Sequence, residues 1–226
     1  MEYLGSGAPG IDRLLGGGLP KHRICLLYGE ATTGKTILSM QFALEAARKG
    51  AKVFYIDPEQ SFSSERISRL SESEIVTSQI VLFRPEHFRD QGVILDSFES
   101  LLTKIPTLLI ADSITGLYRT VEKSNREFFS RDRELNRQLA SLNSLAARFE
   151  LWVLLTGQVH SAPSRGEWIV EPVATRTLRH WSDVVVRLRQ TPRVGVRDCA
   201  IEKTVGTILA GGHCLFRITD YGIEDA

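Results

Sequence analysis

The chain has 226 residues, of which 42% are hydrophobic, with a formal net charge of +1 and three cysteines. Such a chain supports one α/β domain with a full core, residues 1–226, in which 1–22 form a lead-in and 183–226 a terminal extension. No apolar run approaches the roughly 18 residues of a membrane span, and Cys25, Cys199 and Cys214 are too widely spaced among apolar neighbours for a disulfide framework or metal cluster.

The N-terminus Met1-Glu-Tyr-Leu-Gly-Ser-Gly7 lacks the basic and apolar regions of a signal peptide, so a soluble, cytoplasmic protein with no membrane partner is expected. The first element in chain order is a short helix over Ile11–Leu15, stopped by Gly16-Gly17-Gly18 and Pro20. The apolar run Arg23–Tyr28 is a strand, and the helical spacing of Ile37, Met40, Leu44 and Ala47 follows it. Strands are expected over Lys52–Asp57, Gln79–Phe83, Thr107–Ala111 and Leu151–Leu155. The helices between them run over Ser63–Leu70, capped by Ser63 or Ser64, and from Pro85 to about Thr103. A long amphipathic helix carries Leu135, Leu139, Leu142, Leu145 and Ala146 on one face. Polar, charge-mixed residues from Arg119 to Arg133 precede it.

The segment from His160 to Glu171 has little apolar periodicity and is expected to be a mobile loop, and Pro172–Trp181 a helix. The runs Val184–Arg189, Cys199–Lys203 and Cys214–Ile218 then follow without helices between them, which predicts antiparallel hairpins. The whole is a mostly parallel central sheet flanked by helices, with an antiparallel C-terminal edge. Between His160 and Arg197 seven arginines stand against Glu167, Glu171 and Asp183, a balance that suits a polyanion.

Gly29-Glu30-Ala31-Thr32-Thr33-Gly34-Lys35-Thr36 fits the phosphate-binding pattern G-x-x-x-x-G-K-[ST], between a strand and a helix as the pattern requires. The glycines let backbone N–H groups converge on an anion, and the helix that follows turns its positive end to the same point. Lys35 then reaches the terminal phosphates of a nucleotide, and the Thr36 hydroxyl coordinates Mg2+.

A triphosphatase also needs a metal-side carboxylate, and Asp112 supplies one after a fully apolar strand, with a plain turn aspartate as the alternative. Glu59, after the second strand, is placed to orient or deprotonate an attacking water. Its spacing fits a solvated loop carboxylate just as well. Gln158, beyond the fifth strand, is a candidate γ-phosphate sensor or simply a loop glutamine. His160 and His180 have no metal-ligand partners at suitable spacing.

Taken together the motifs resemble the RecA/RadA recombinase superfamily, and within it the short archaeal RadB-type paralogues. The resemblance runs through Gly10–Gly18, the phosphate loop, Tyr55-Ile-Asp-Pro-Glu59, Ser64-Glu-Arg66, Ile110-Ala-Asp-Ser-Ile114, Gln158-Val159, Pro172-Val173 and Leu215–Asp225. It implies a RecA-like P-loop ATPase core, with ATP and Mg2+ as cofactors. It also implies Glu59 as the water-activating glutamate, Arg66 stacked on adenine, Asp112 as the metal-side aspartate acting through water, and Gln158 as the γ-phosphate sensor. The stretches Arg119–Arg133 and His160–Glu171 then correspond to two DNA-facing loops, where arginines meet phosphates and Trp168 stacks on a base.

Three departures accompany the resemblance. The chain starts almost at the ATPase core, so self-assembly is expected to be weak, and Gln60 replaces the family's glycine after the glutamate. In place of a basic cluster after the late strand, only Lys203 remains. The expected function is that of a weak, DNA-stimulated ATPase that binds DNA, single-stranded in particular, and assists a full-length recombinase and other repair proteins. The alternatives are a non-enzymatic, ATP-dependent regulator of such a recombinase, and a KaiC-like signalling ATPase.

Overall fold

The structure is a computed structural model describing residues 2–71, 74–119, 125–164, 167–204 and 211–226. Its first elements are β1 (Tyr3–Leu4), α1 (Pro9–Leu14) and β2 (Leu19–Pro20), with β1 and β2 forming a small antiparallel pair. Then come β3 (Arg23–Gly29), α2 (Lys35–Arg48), β4 (Lys52–Ile56), α3 (Ser64–Leu70), α4 (Glu74–Thr77), β5 (Ile80–Phe83), α5 (Phe88–Leu101) and β6 (Thr107–Ala111). A 3-10 turn at Leu117–Arg119 leads to α6 (Asn125–Phe149), β7 (Trp152–Gly157), β8 (Val159–Ser164), β9 (Glu167–Pro172) and α7 (Thr175–Trp181). The chain closes with β10 (Val184–Gln190), β11 (Val196–Lys203), β12 (His213–Thr219) and β13 (Gly222–Asp225).

Nine of these strands form one sheet in the order β13-β12-β11-β10-β3-β7-β6-β4-β5. From β10 to β5 every pairing is parallel, and from β10 outward to β13 every pairing is antiparallel. The central strands are continuous apolar runs because both of their faces are covered. In β3, Cys25 and Leu27 point to the side packed by α1 and α2, while Ile24, Leu26 and Tyr28 point to the side packed by α5, α6 and α7. Helix α6 presents Leu135, Leu139, Leu142, Leu145 and Ala146 to that second side, all buried at helical spacing.

The sheet bears out the expected layout, and the boundaries shift for identifiable reasons. Strand β10 follows α7 and pairs in parallel with β3, so the antiparallel edge begins one strand later than the pattern suggested. His160–Glu171 is not a loop: β8 and β9 pair as an antiparallel hairpin, from Val159 opposite Pro172 to Ser164 opposite Glu167. Backbone pairing fixes this hairpin without the alternation that would betray it in the sequence. Its residues 165–166, including Arg165, and the side chain of Trp168 lie outside the described residues.

Helix α5 starts at Phe88, not Pro85, because His87 caps it and Asp90 accepts the His87 N–H at 3.0 Å. Helix α7 starts at Thr175, since Pro172 still belongs to β9. Helix α6 begins at Asn125, inside the stretch expected to be polar loop, of which 120–124 lie outside the described residues. Ser63 is the cap of α3, accepting the Arg66 N–H at 3.2 Å.

Because β3, β4, β6 and β7 run in parallel, their carboxyl ends share one edge of the sheet. Residues that follow them therefore meet there, which is where α/β sheets bind ligands.

Candidate nucleotide-binding site

Strand β3 delivers the chain at Gly29 against the neighbouring strand, so closely that a Cβ there would lie 2.3 Å from the Leu188 carbonyl oxygen. Only glycine fits. At the other end of the loop Gly34 has φ +102, a left-handed conformation that glycine adopts freely, and the next residue opens α2. Between them Glu30, Ala31 and Thr32 form an exposed tip, and the Thr33 hydroxyl donates to the Glu30 carbonyl at 2.8 Å. Thr32 has φ +62, and the C-terminal strands hold it there: Arg197 Nε donates to its carbonyl at 3.3 Å and Gln190 Nε2 to its hydroxyl at 3.2 Å.

Lys35 folds back over this loop, its Nζ donating to the carbonyls of Gly29 and Glu30 at 2.8 Å each. Burial lowers the pKa of Lys35, while Asp112, Glu59 and Glu30 push the other way. The ammonium is half-desolvated, and its neighbours are neutral carbonyls and nearby carboxylates. An anionic oxygen placed there would offer a stronger, charge-assisted partner.

Asp112 lies just past β6 and is buried, accepting from Tyr55 Oη at 2.8 Å and from Thr156 Oγ1 at 2.5 Å. Burial raises its pKa, hydrogen bonds from Thr156, Tyr55 and Thr36 hold it down, and Glu59 raises it further. Thr36, the second residue of α2, is thus within reach of Asp112. Glu59 sits in the exposed turn after β4 and accepts from the Ser113 hydroxyl, next to Asp112 in sequence across a cis peptide. Gly116 packs beside it, where a Cβ would come within 2.8 Å of Glu59 Oε1.

Lys35, Thr36, Glu59, Asp112 and Gln158 line one cavity of about 370 Å³ together with Gly29, Thr32, Ser113, Thr156 and Arg119. A second cavity of about 450 Å³ shares Thr32, Lys35 and Thr36 with it and is closed by Ile37, Arg66, Arg197 and Ile218. The loop therefore lies between a polar compartment and one with two isoleucines and the Arg66 guanidinium. A larger groove of about 780 Å³ lies elsewhere, between α5 and α6.

Several residues that shape the site are assigned no role by the motifs. Asp57, fully buried, accepts from the backbone N–H of Ser61 at 2.8 Å and of Phe62 at 3.0 Å, and this folds the turn that holds Glu59. The signal was present, since an aspartate followed by proline and serines is turn chemistry. The contacts of Ser113, Thr156 and Tyr55 are recognised only in three dimensions, because each lies on or just past a different strand from the one that precedes the carboxylate it serves. Arg197 and Gln190 reach the loop from more than 150 positions away.

Three arginines of the late segment are paired with carboxylates of the chain. Arg179 and Arg187 both meet Glu202, the latter at 3.2 Å, and Glu202 also accepts from Tyr28 Oη at 2.7 Å. Arg189 pairs with Asp198 at 3.1 Å. Lys203 donates to the carbonyls of Arg179 at 2.8 Å and Ser182 at 2.6 Å, which satisfies the carboxyl end of α7. Cys199 and Cys214, distant in sequence, face each other across β11 and β12, and Cys214 is only partly buried.

A family model described as Rad51 matches residues 2–226. The DNA repair and recombination protein RadB of Thermococcus onnurineus (strain NA1) is 35% identical over 98% of this chain and 97% of its own length. That of Methanothermobacter thermautotrophicus is 36% identical over 94% of this chain and 92% of its own. Among solved structures, one described as the crystal structure of the RadB recombinase superposes with a TM-score of 0.84 at 32% identity, covering 99% of this chain and 100% of that one.

Proposed function

The chain belongs to the Rad51 family, and from that premise we propose that it is an ATP-binding, weakly ATP-hydrolysing protein that binds DNA and assists recombinational repair beside a full-length recombinase. One observation carries this reading: the ends of four parallel strands bring Lys35 and Thr36, Glu59, Asp112 and Gln158 to a single cavity. Its relatives of similar length are DNA repair and recombination proteins, which supports the same process for this chain.

In this reading the backbone N–H groups of Glu30 to Lys35 cradle the β- and γ-phosphates, and Lys35 exchanges its two carbonyl partners for phosphate oxygens. The adenine lies in the compartment closed by Ile37, Ile218 and Arg66, whose guanidinium stacks on the base. The donor set suits Mg2+: it is all oxygen, and the buried Asp112 carboxyl gains most from a neighbouring cation. Thr36 would hold the ion directly and Asp112 through water. Mg2+, when bound, neutralises developing charge on the phosphates.

Glu59 accepts a proton from water as the water oxygen bonds to the γ-phosphorus. The bond from that phosphorus to the β–γ bridging oxygen breaks, leaving ADP and inorganic phosphate. Gln158 orients the γ-phosphate. The strand β8 that starts beside it, with the β8–β9 hairpin and the residues around Arg119, faces DNA, single-stranded in particular.

ATP turnover by the wild type, Lys35→Ala and Glu59→Gln, each with and without single-stranded DNA, tests it. Turnover falls in both variants, and Glu59→Gln keeps its nucleotide. Equal rates in all three would end the enzymatic assignment. DNA binding that responds to neither salt nor nucleotide would end the repair assignment.

A further inference from the structure

Resting on the nucleotide site just described, we propose that Arg119 is a γ-phosphate ligand supplied by the same chain, held in reserve by Gln158 until a triphosphate displaces it. Its side chain lines the polar compartment with Lys35, Glu59 and Asp112, and its Nη1 donates to Gln158 Oε1 at 2.6 Å. That amide oxygen is its hydrogen-bond partner among the described residues, and no described carboxylate pairs with it. A guanidinium with five donors held by a neutral acceptor is poised for a phosphoryl oxygen, because charge-assisted bonds are roughly twice as strong as neutral ones.

Arg119 is also carried on a fixed arm. Ile114 N–H donates to the Thr156 carbonyl at 3.1 Å, and Gln158 N–H to Thr115 Oγ1 at 3.1 Å, so the chain beyond Asp112 is stitched to the end of β7. Leu117 and Tyr118 are buried and Tyr118 is clasped by Asp132 and Arg131, which leaves Arg119 as the exposed residue of the 3-10 turn. The backbone that carries it therefore loses little further freedom when the side chain takes a ligand.

The position assigns the phosphate. The two compartments meet at Thr32, Lys35 and Thr36, with the apolar one and Arg66 on one side and Arg119 on the other. A nucleotide with its base beside Ile37 and Ile218 presents its last phosphate to Arg119, and a diphosphate stops short. Arg119 therefore separates triphosphate from diphosphate, and its release frees the Gln158 amide at the root of the β8–β9 hairpin.

Calorimetric binding of ADP and of the slowly hydrolysed analogue AMP-PNP, both with Mg2+, tests this in the wild type, Arg119→Ala, Arg119→Lys and Lys35→Ala. The wild type prefers AMP-PNP. Arg119→Ala loses about tenfold or more of its AMP-PNP affinity with ADP affinity unaltered, and Arg119→Lys recovers part. Hydrogen exchange at 117–119 slows with AMP-PNP, not with ADP, in the wild type alone. An unchanged AMP-PNP to ADP ratio in Arg119→Ala, with binding abolished by Lys35→Ala, overturns this proposal and leaves the nucleotide site standing. Absence of binding by the wild type overturns both.

Discussion

Ser113 and Glu59, separated by 54 residues, are joined by a hydrogen bond in which the serine hydroxyl donates to the glutamate Oε1. The carboxylate otherwise sits in an exposed turn, free to sample several rotamers, and this bond orients it toward the compartment that holds Lys35. In Ser113→Ala the turn keeps its Asp57 bonds but Glu59 loses its guide. Turnover should fall by about tenfold while nucleotide affinity holds, because a misplaced base costs catalysis more than binding. Steady-state rates set beside calorimetric affinities separate the two, and a parallel loss of both would show that Ser113 supports the fold of the site instead.

Asp112 makes a pH-dependent prediction whose sign is fixed by its burial. Its folded pKa lies above the unfolded aspartate value of about 3.9. The group therefore contributes stability that is complete below that value and is lost as pH rises through the folded pKa, so at neutral pH the ionised, buried carboxylate costs stability. A cation beside it removes that cost. Binding of Mg2+ and nucleotide at a pH where Asp112 is partly protonated should release a proton. Calorimetry in buffers of different ionisation enthalpy reads the release directly, and Asp112→Asn should reduce it to the nucleotide's own share.

Gln60 occupies a backbone position with φ +52, left-handed for a residue that carries a Cβ. The resemblance implies glycine here, and the glutamine in its place adopts a conformation that glycine reaches without strain. Gln60→Gly should stabilise the protein by about 0.5–1 kcal/mol, since relief of roughly 1–2 kcal/mol of left-handed strain exceeds the added entropy of a glycine in the unfolded chain. Urea denaturation measures it. A destabilised Gln60→Gly would mean that the glutamine side chain contributes more than its backbone costs.

How much of this could be read from the chain depended on whether the information was local. The phosphate loop, the two-sided apolar strands and the stripe of α6 are patterns over a few consecutive residues, and they survive intact in the structure. The β8–β9 hairpin was illegible because Ser, Pro and Gly break any alternation, and its register is set by backbone pairing such as His160 with Glu171. The charge of the late segment is only partly legible for the opposite reason. Counting arginines cannot reveal that Arg179, Arg187 and Arg189 are matched by Glu202 and Asp198 on the next strand. The Asp57 bonds and the Ser113–Glu59 pair join residues whose types were ordinary at their positions.

The two most distinctive stretches of the sequence, Gly10–Gly18 and Leu215–Asp225, turn out to touch. Helix α1 has Ala8 at its cap position, with no side chain able to accept its first N–H groups. Asp225, from the last strand, takes that role: its Oδ1 accepts the Gly10 N–H at 2.7 Å, and its Oδ2 meets Arg13 at 3.1 Å. The contact needs glycine, as a Cβ on Gly10 would stand 2.5 Å from Asp225 Oδ1. A carboxylate at the head of a helix is favourable both as an acceptor and as a negative charge, so Asp225→Ala should cost about 1 kcal/mol. Asp225→Asn keeps the acceptor and should lose a smaller part. Arg13→Ala should change little, because the arginine is 74% exposed and such pairs contribute marginally. Urea midpoints of the three variants test the ranking. Equal losses for Asp225→Ala and Arg13→Ala would show that the ion pair, not the capping bond, joins the chain's two ends.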